Sequence, residues 1–175
     1  LADETGLSQE QQAWFREAER QSLAQVSRVV TTSEYTARRV QQDYGVPSWK
    51  ITTAQPAVDA LFFQMERDHL DKPMRLLCVG HLSPRKAQHQ LVDALATLRE
   101  LPWQCTLVGA EDRDPDYALA VRSAIARHGL ADRIQLLGEL SEPALEEAYR
   151  RADLFVFPSL YEGYGMVIDE ALAAG

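Results

Sequence analysis

From Met74 onward, short apolar runs alternate with helical periodicity, and three of the four runs end in glycine. Arg75–Val79 stops at Gly80, Thr106–Val108 at Gly109, Ile134–Leu137 at Gly138, and Leu154–Phe157 at Pro158. Between them lie a helical stretch with Leu91, Leu95 and Leu98 at i, i+4 and i+7, and a second from about Asp116 to His128, closed by Gly129. A third is capped by Ser141 and reaches Ala152, and a fourth runs from about Gly165 to Ala174. Strands that are apolar throughout, each followed by a helix, specify a parallel sheet covered on both faces. The expected fold is α/β and doubly wound. In such sheets ligands bind beyond the carboxyl ends of the strands.

The first part of the chain follows a different plan. Ser8 followed by Gln11 reads as a capping box for a helix from Glu10 to Gln25, with Trp14, Phe15 and Ala18 on its buried side. Arg28–Thr32 is β-branched and reads as a strand, Ser33 caps a second helix that stops at Gly45, and Ile51–Thr53 is a weaker strand. Residues 55–73 hold two prolines and no clean period. The expected division is 1–55 as the end of one domain, 56–73 as a linker and 74–175 as a second domain with its own sheet. A start at Leu1 and a stop at Gly175, directly after a helical pattern, read as an interior piece of a longer chain.

Composition narrows the function. With 46% hydrophobic and 25% charged residues the chain is ordinary globular material, and no run approaches the roughly 20 apolar residues of a membrane span. A net charge of -8 with no basic block argues against nucleic acid as a partner. Cys78 and Cys105 both lie inside apolar runs and read as buried free thiols, which suits a reducing, cytoplasmic location. His69, His89 and His128 share no metal-ligand spacing with cysteines or carboxylates. Glu111-Asp112-Arg113-Asp114 reads as a solvated loop, and Trp14, Trp49 and Trp103 read as packing residues.

Two segments can carry chemistry. After Val79 the chain reads Gly80-His81-Leu82-Ser83-Pro84-Arg85-Lys86. Gly80 permits close approach to the backbone, and Arg85 and Lys86 are expected near a helix start that already favours an anion. After Phe157 it reads Pro158-Ser159-Leu160-Tyr161-Glu162-Gly163-Tyr164-Gly165-Met166, with Glu170 following. Glycines at a strand-to-helix turn expose amides to an anion. Glu162 and Glu170 stand eight positions apart, about 12 Å along a helix at about 1.5 Å per residue. That is too far for a paired-carboxylate site and suits one acid near each end of an extended ligand.

Taken together, these motifs resemble the C-terminal domain of family 4 glycosyltransferases, and Val29–Thr36 with Tyr44-Gly45-Val46-Pro47 is similar to the end of that family's N-terminal domain. The resemblance implies the GT-B architecture and a retaining, metal-independent transfer of a sugar from a nucleotide-diphosphate sugar, without a cofactor, to an unidentified acceptor. It implies that Lys86 neutralises the donor diphosphate and that Glu162 holds hydroxyls of the transferred sugar, these two being the catalytic pair. Glu170 is implied to bind the ribose hydroxyls. Gly80 and the amides of Gly163, Tyr164, Gly165 and Met166 are implied to complete the donor site, with the base against the loops after Gly109 and Gly138. His81 stands where many members have Arg. Neutral imidazole is no permanent bidentate cation, so Arg85 is the candidate to compensate. Two other readings are a GT-B nucleotide-sugar epimerase and a binding or regulatory subunit without turnover. The piece alone is expected to be inactive and, with sheet edges and apolar faces uncovered, to self-associate.

Overall fold

The computed structural model describes residues 7–64 and 73–175. The remainder of the expected linker, 65–72, and His69 with it, lies outside the described residues. The chain divides into two compact units, one of residues 1–57 with 161–166 and one of residues 58–160 with 167–175.

In the first unit, α1 (Gln9–Gln25) opens with the expected capping box, Ser8 and Gln11 each bonding the other's backbone. Its apolar face differs from expectation. Trp14 is 65% exposed, Phe15 is also exposed, and α1 has no buried residue. A helix buries an apolar stripe only where another element covers it, and here the two rings pack edge to face on each other, 4.9 Å apart. β1 (Val29–Thr31) and β2 (Ile51–Thr53) pair in parallel, flanking α2 (Glu34–Tyr44). Ser33 caps α2 by accepting the Thr36 N–H, and Gly45 ends it at φ 68°, a left-handed cap that glycine adopts without penalty. Trp49 is exposed on a 3-10 turn beside Lys50, so of the three tryptophans only Trp103 is a packing residue.

The second unit holds one parallel sheet of β3 (Met74–Val79), β4 (Trp103–Val108), β5 (Ile134–Leu136) and β6 (Leu154–Phe155), in the order β5-β4-β3-β6. Alternation along β3 and β4 divides the core. Leu76, Cys78, Cys105 and Leu107 pack under α3 (Gln88–Ala96) and α4 (Pro115–Arg127). Leu77, Val79 and Val108 pack with Tyr149 of α5 (Glu142–Arg151) and with α6 (Met166–Ala173). Both faces are therefore covered, as continuous apolar strands require. The chain builds outward from β3 to β5 and then returns to β6 on the other side of β3. That reversal is a topological switch point, and the crevice beyond its strand ends is the expected place for a ligand.

Details differ from the sequence reading. Leu98 is exposed rather than part of the α3 stripe, because the helix has ended at Ala96. Ser141 occupies the N-cap of α5, but its hydroxyl makes no capping bond. The acidic loop has specific partners: Glu111 pairs with Arg122 at 2.6 Å, and Asp114 caps α4 by accepting the Tyr117 N–H. Cys78 and Cys105 are free and buried, as expected.

Candidate donor site

β3 delivers the chain to Gly80, whose φ of 156° only glycine adopts freely. Gly109 follows β4, and a Cβ added there would stand 2.2 Å from the Gly80 carbonyl oxygen and 2.7 Å from the His81 nitrogen. The two strand ends thus meet backbone to backbone, a closeness no side chain permits. Gln88, only 1% exposed, donates its amide to the carbonyls of Gly80 and His81 at 3.2 and 3.1 Å. The loop after β3 is fixed from both sides.

Arg85 and Lys86 lie just ahead of α3, near its start as expected, but outside the helix itself. They belong to a 3-10 turn, Pro84–Lys86, that ends at Ala87 in the left-handed region at φ 54°. A left-handed alanine costs about 1–2 kcal/mol, and it is fully buried. The turn places Lys86, only 9% exposed, with Nζ 5.5 Å from the centre of the Phe157 ring. Its methylenes lie against Gly80, where an added Cβ would meet Cδ and Cε at 3.5 Å. Lys86 therefore touches the loops that follow β3 and β6, the two strands flanking the switch point. The Leu160 N–H donates to the Arg85 carbonyl at 2.9 Å and ties those loops together. The α3 N-terminus is less open to an anion than expected, since the His89 N–H donates to the Tyr117 hydroxyl at 3.2 Å.

Glu170, on α6 in the same unit, accepts a 2.8 Å hydrogen bond from the Tyr149 hydroxyl. Burial, and then the Glu170 carboxylate, push the Tyr149 phenol well above its usual range, so it remains a donor. Burial likewise pushes Cys78 up to about 12, against an opposing effect of Lys86, and Cys105 to about 12.

Glu162, Gly163, Tyr164, Gly165 and Met166 belong to the first unit. The Gly163 carbonyl accepts from Ser33 Oγ at 2.6 Å and from Thr36 Oγ1 at 3.1 Å. A carboxylate oxygen of Glu162 accepts the Gly163 N–H at 3.2 Å. The Tyr164 hydroxyl reaches the Pro56 carbonyl at 3.4 Å, and the Tyr161 and Tyr35 rings lie 6.1 Å apart. Gly80, His81, Arg85, Lys86 and Glu170 are thus carried by one unit, and the Glu162–Met166 segment by the other.

Sequence reasoning missed Gln88, Tyr149 and the hold of Ser33 and Thr36 on the glycine loop. A glutamine at the first position of a mostly apolar helix was the available signal for the first. Nothing in the spacing marks the other two, whose partners are distant in the chain. Among the described residues no group of three or more His, Cys, Asp or Glu clusters as metal ligands would, and no helix is long and apolar enough to cross a membrane.

A parallel sheet with a buried lysine beyond its switch point is a doubly wound α/β domain with a candidate ligand crevice at its strand ends. The family profile described as "Glycosyl transferases group 1" matches residues 62–175, and the chain belongs to that family. A second profile, "Glycosyltransferase Family 4", matches residues 4–60. The chain is 28% identical over 162 residues to mannosylfructose-phosphate synthase of Agrobacterium fabrum, covering 84% of this chain and 36% of that protein. It is 30% identical over 172 residues to a D-inositol 3-phosphate glycosyltransferase of Catenulispora acidiphila, covering 90% and 40%. Among solved structures, sucrose-phosphate synthase of Thermosynechococcus elongatus superposes with a TM-score of 0.79 at 22% identity, over 100% of this chain and 45% of that one. Anabaena HepE in complex with UDP-glucose superposes at 0.77 and 22% identity, over 96% and 47%. The fold is that of the GT-B glycosyltransferases. The chain spans less than half the length of each of these relatives.

Proposed function

We propose that this chain is the donor-binding part of a glycosyltransferase that moves a sugar, with retention and without a metal, from a nucleotide-diphosphate sugar to an acceptor. The single observation that carries this reading is Lys86, a buried cation held beyond the ends of β3 and β6 by Gly80 and the Phe157 ring. A nucleoside diphosphate departs with growing negative charge, and a preorganised cation in a low-dielectric site stabilises that charge without reorganisation. In this reading Lys86 faces the diphosphate, Glu162 the sugar hydroxyls and Glu170 the ribose. Amides of the Gly163–Met166 segment, Gly80, His81 and Arg85 complete donor binding. Residues 1–55, 56–73 and 74–175 then serve as the end of an acceptor-side domain, a linker and the donor domain of a cytoplasmic enzyme.

A donor-binding subunit without turnover is the second reading, favoured by His81 in the place of a permanent cation. Donor hydrolysis and transfer, assayed in the full-length enzyme with and without EDTA, separate the two. Release of nucleoside diphosphate, unaffected by the chelator, is the expected result. Tight donor binding with no release overturns the transferase. Accumulation of an isomerised nucleotide sugar instead identifies an epimerase.

A further inference from the structure

Tyr149 is 2% exposed on α5, with its ring edge to face on Phe62 at 5.3 Å and stacked on Phe155 at 5.9 Å. Packing fixes the ring, so the reach of its hydroxyl is confined to the acceptors beside it. That hydroxyl donates to Glu170 Oε2 at 2.8 Å and has the Val167 carbonyl at 3.3 Å. Val167 and Glu170 are three residues apart on α6 and therefore share a face. One buried phenol thus holds both the first turn of α6 and one oxygen of the carboxylate. A glutamate side chain at a partly open position ordinarily samples several rotamers, and ordering it only on ligand binding reduces affinity. Here one oxygen is already bound, and the other is left to accept from a ligand.

We infer that Tyr149 is a positioning residue that presents the Glu170 carboxylate to the two adjacent hydroxyls of a ribose, and so sets discrimination between ribonucleotide and deoxyribonucleotide donors. This rests on the assignment of Glu170 to the ribose. A carboxylate accepts both hydroxyls of a vicinal diol only in a narrow orientation, whereas a deoxyribose offers one of them. Loss of the phenol hydroxyl should therefore weaken the selection for the diol more than it weakens nucleotide binding as a whole.

The test is the ratio of affinities for a nucleoside diphosphate and its 2′-deoxy counterpart. UDP, GDP and ADP are titrated in turn, and the tightest binder supplies the pair. Because each ratio is internal to one variant, a general loss of stability cancels. In Glu170→Ala the ratio should fall about tenfold, as expected for hydrogen bonds to a charged group. In Tyr149→Phe, which keeps the ring packing, it should fall about threefold, and the double variant should fall no further than Glu170→Ala alone. A wild-type ratio in Glu170→Ala overturns the ribose assignment and the inference with it. A collapsed ratio in Glu170→Ala with a wild-type ratio in Tyr149→Phe overturns the role of Tyr149 alone. Equal weakening of both nucleotides by Tyr149→Phe, or loss of both where Glu170→Ala still binds, makes Tyr149 purely structural and also overturns it.

Discussion

The Ser33 hydroxyl donates to the carbonyl of Gly163, 130 residues further along the chain, at 2.6 Å. The same oxygen accepts the Thr36 N–H at the start of α2. One side chain thus caps a helix and anchors the Gly-x-Gly loop. A trans peptide points its N–H opposite its C=O, so this anchor turns the Tyr164 amide away from Ser33. An amide aimed in advance can serve an anion without paying for reorientation at the moment of binding.

Ser33→Ala should cost about 1 kcal/mol through the lost cap. It should also raise hydrogen exchange at the Tyr164 amide and its neighbours, while Ser33→Thr largely restores both. Unchanged exchange in Ser33→Ala would mean that Thr36 alone holds the loop.

On the proposed assignment, kinetics in the full-length enzyme should divide the charged residues by their distance from the breaking bond. Lys86→Ala should lower turnover by about 10²–10³, since it removes stabilisation that grows as the diphosphate leaves. Glu170→Ala should mainly raise the donor Michaelis constant, because ribose contacts exist in ground and transition states alike. Glu162→Ala should do both and weaken selection among sugars. Abolished turnover with intact donor affinity in Glu170→Ala would contradict its assignment.

Gly109→Ala should destabilise the second unit by about 3 kcal/mol or more, as the new methyl group would meet backbone rather than a flexible side chain. The Gly80 carbonyl oxygen would lie 2.2 Å from it. Trp103, buried in that unit, reports the unfolding by fluorescence. A wild-type denaturation midpoint would show that the strand ends can separate freely.

Alkaline pH should destabilise the fold through the two thiols. Their folded values are about 12 against 9.0 for an unperturbed thiol, so the native state keeps protons that the unfolded chain releases. Stability is therefore complete below pH 9 and falls between about 9 and 12, by at most about 1.4 kcal/mol per pH unit for each thiol. Urea titrations along that range, compared with a Cys78→Ala/Cys105→Ala variant, measure the slope. At pH 8 neither thiol should react with a disulfide reagent before the unit opens.

The isolated chain should self-associate. Met74, Leu98, Leu101 and Leu154 are exposed and line an apolar groove of about 560 Å³ with Leu91 and Leu95. Among the described residues β6 pairs only with β3, which leaves its other edge unpaired beside this groove. Sedimentation showing a monomer at millimolar concentration would contradict this.

The elements are legible in the order of residues alone, because their signals are local. Apolar runs ending at Gly80, Gly109 and Gly138 specify parallel strands, and Ser8, Ser33 and Gly45 mark helix ends through bonds within a few residues. The sequence also marked Lys86, Glu162 and Glu170 through a family resemblance. Strand order was decided only in three dimensions, because β6 finds β3 across about eighty intervening residues and no periodicity records that pairing. The same holds for burial. Trp14 and Trp103 are chemically alike, yet one is exposed and the other sits at the foot of β4, since burial depends on which element lies opposite. Tyr149 meets Glu170, and Ser33 meets Gly163, for the same reason: each pair is made by packing between elements, which sequence spacing does not encode.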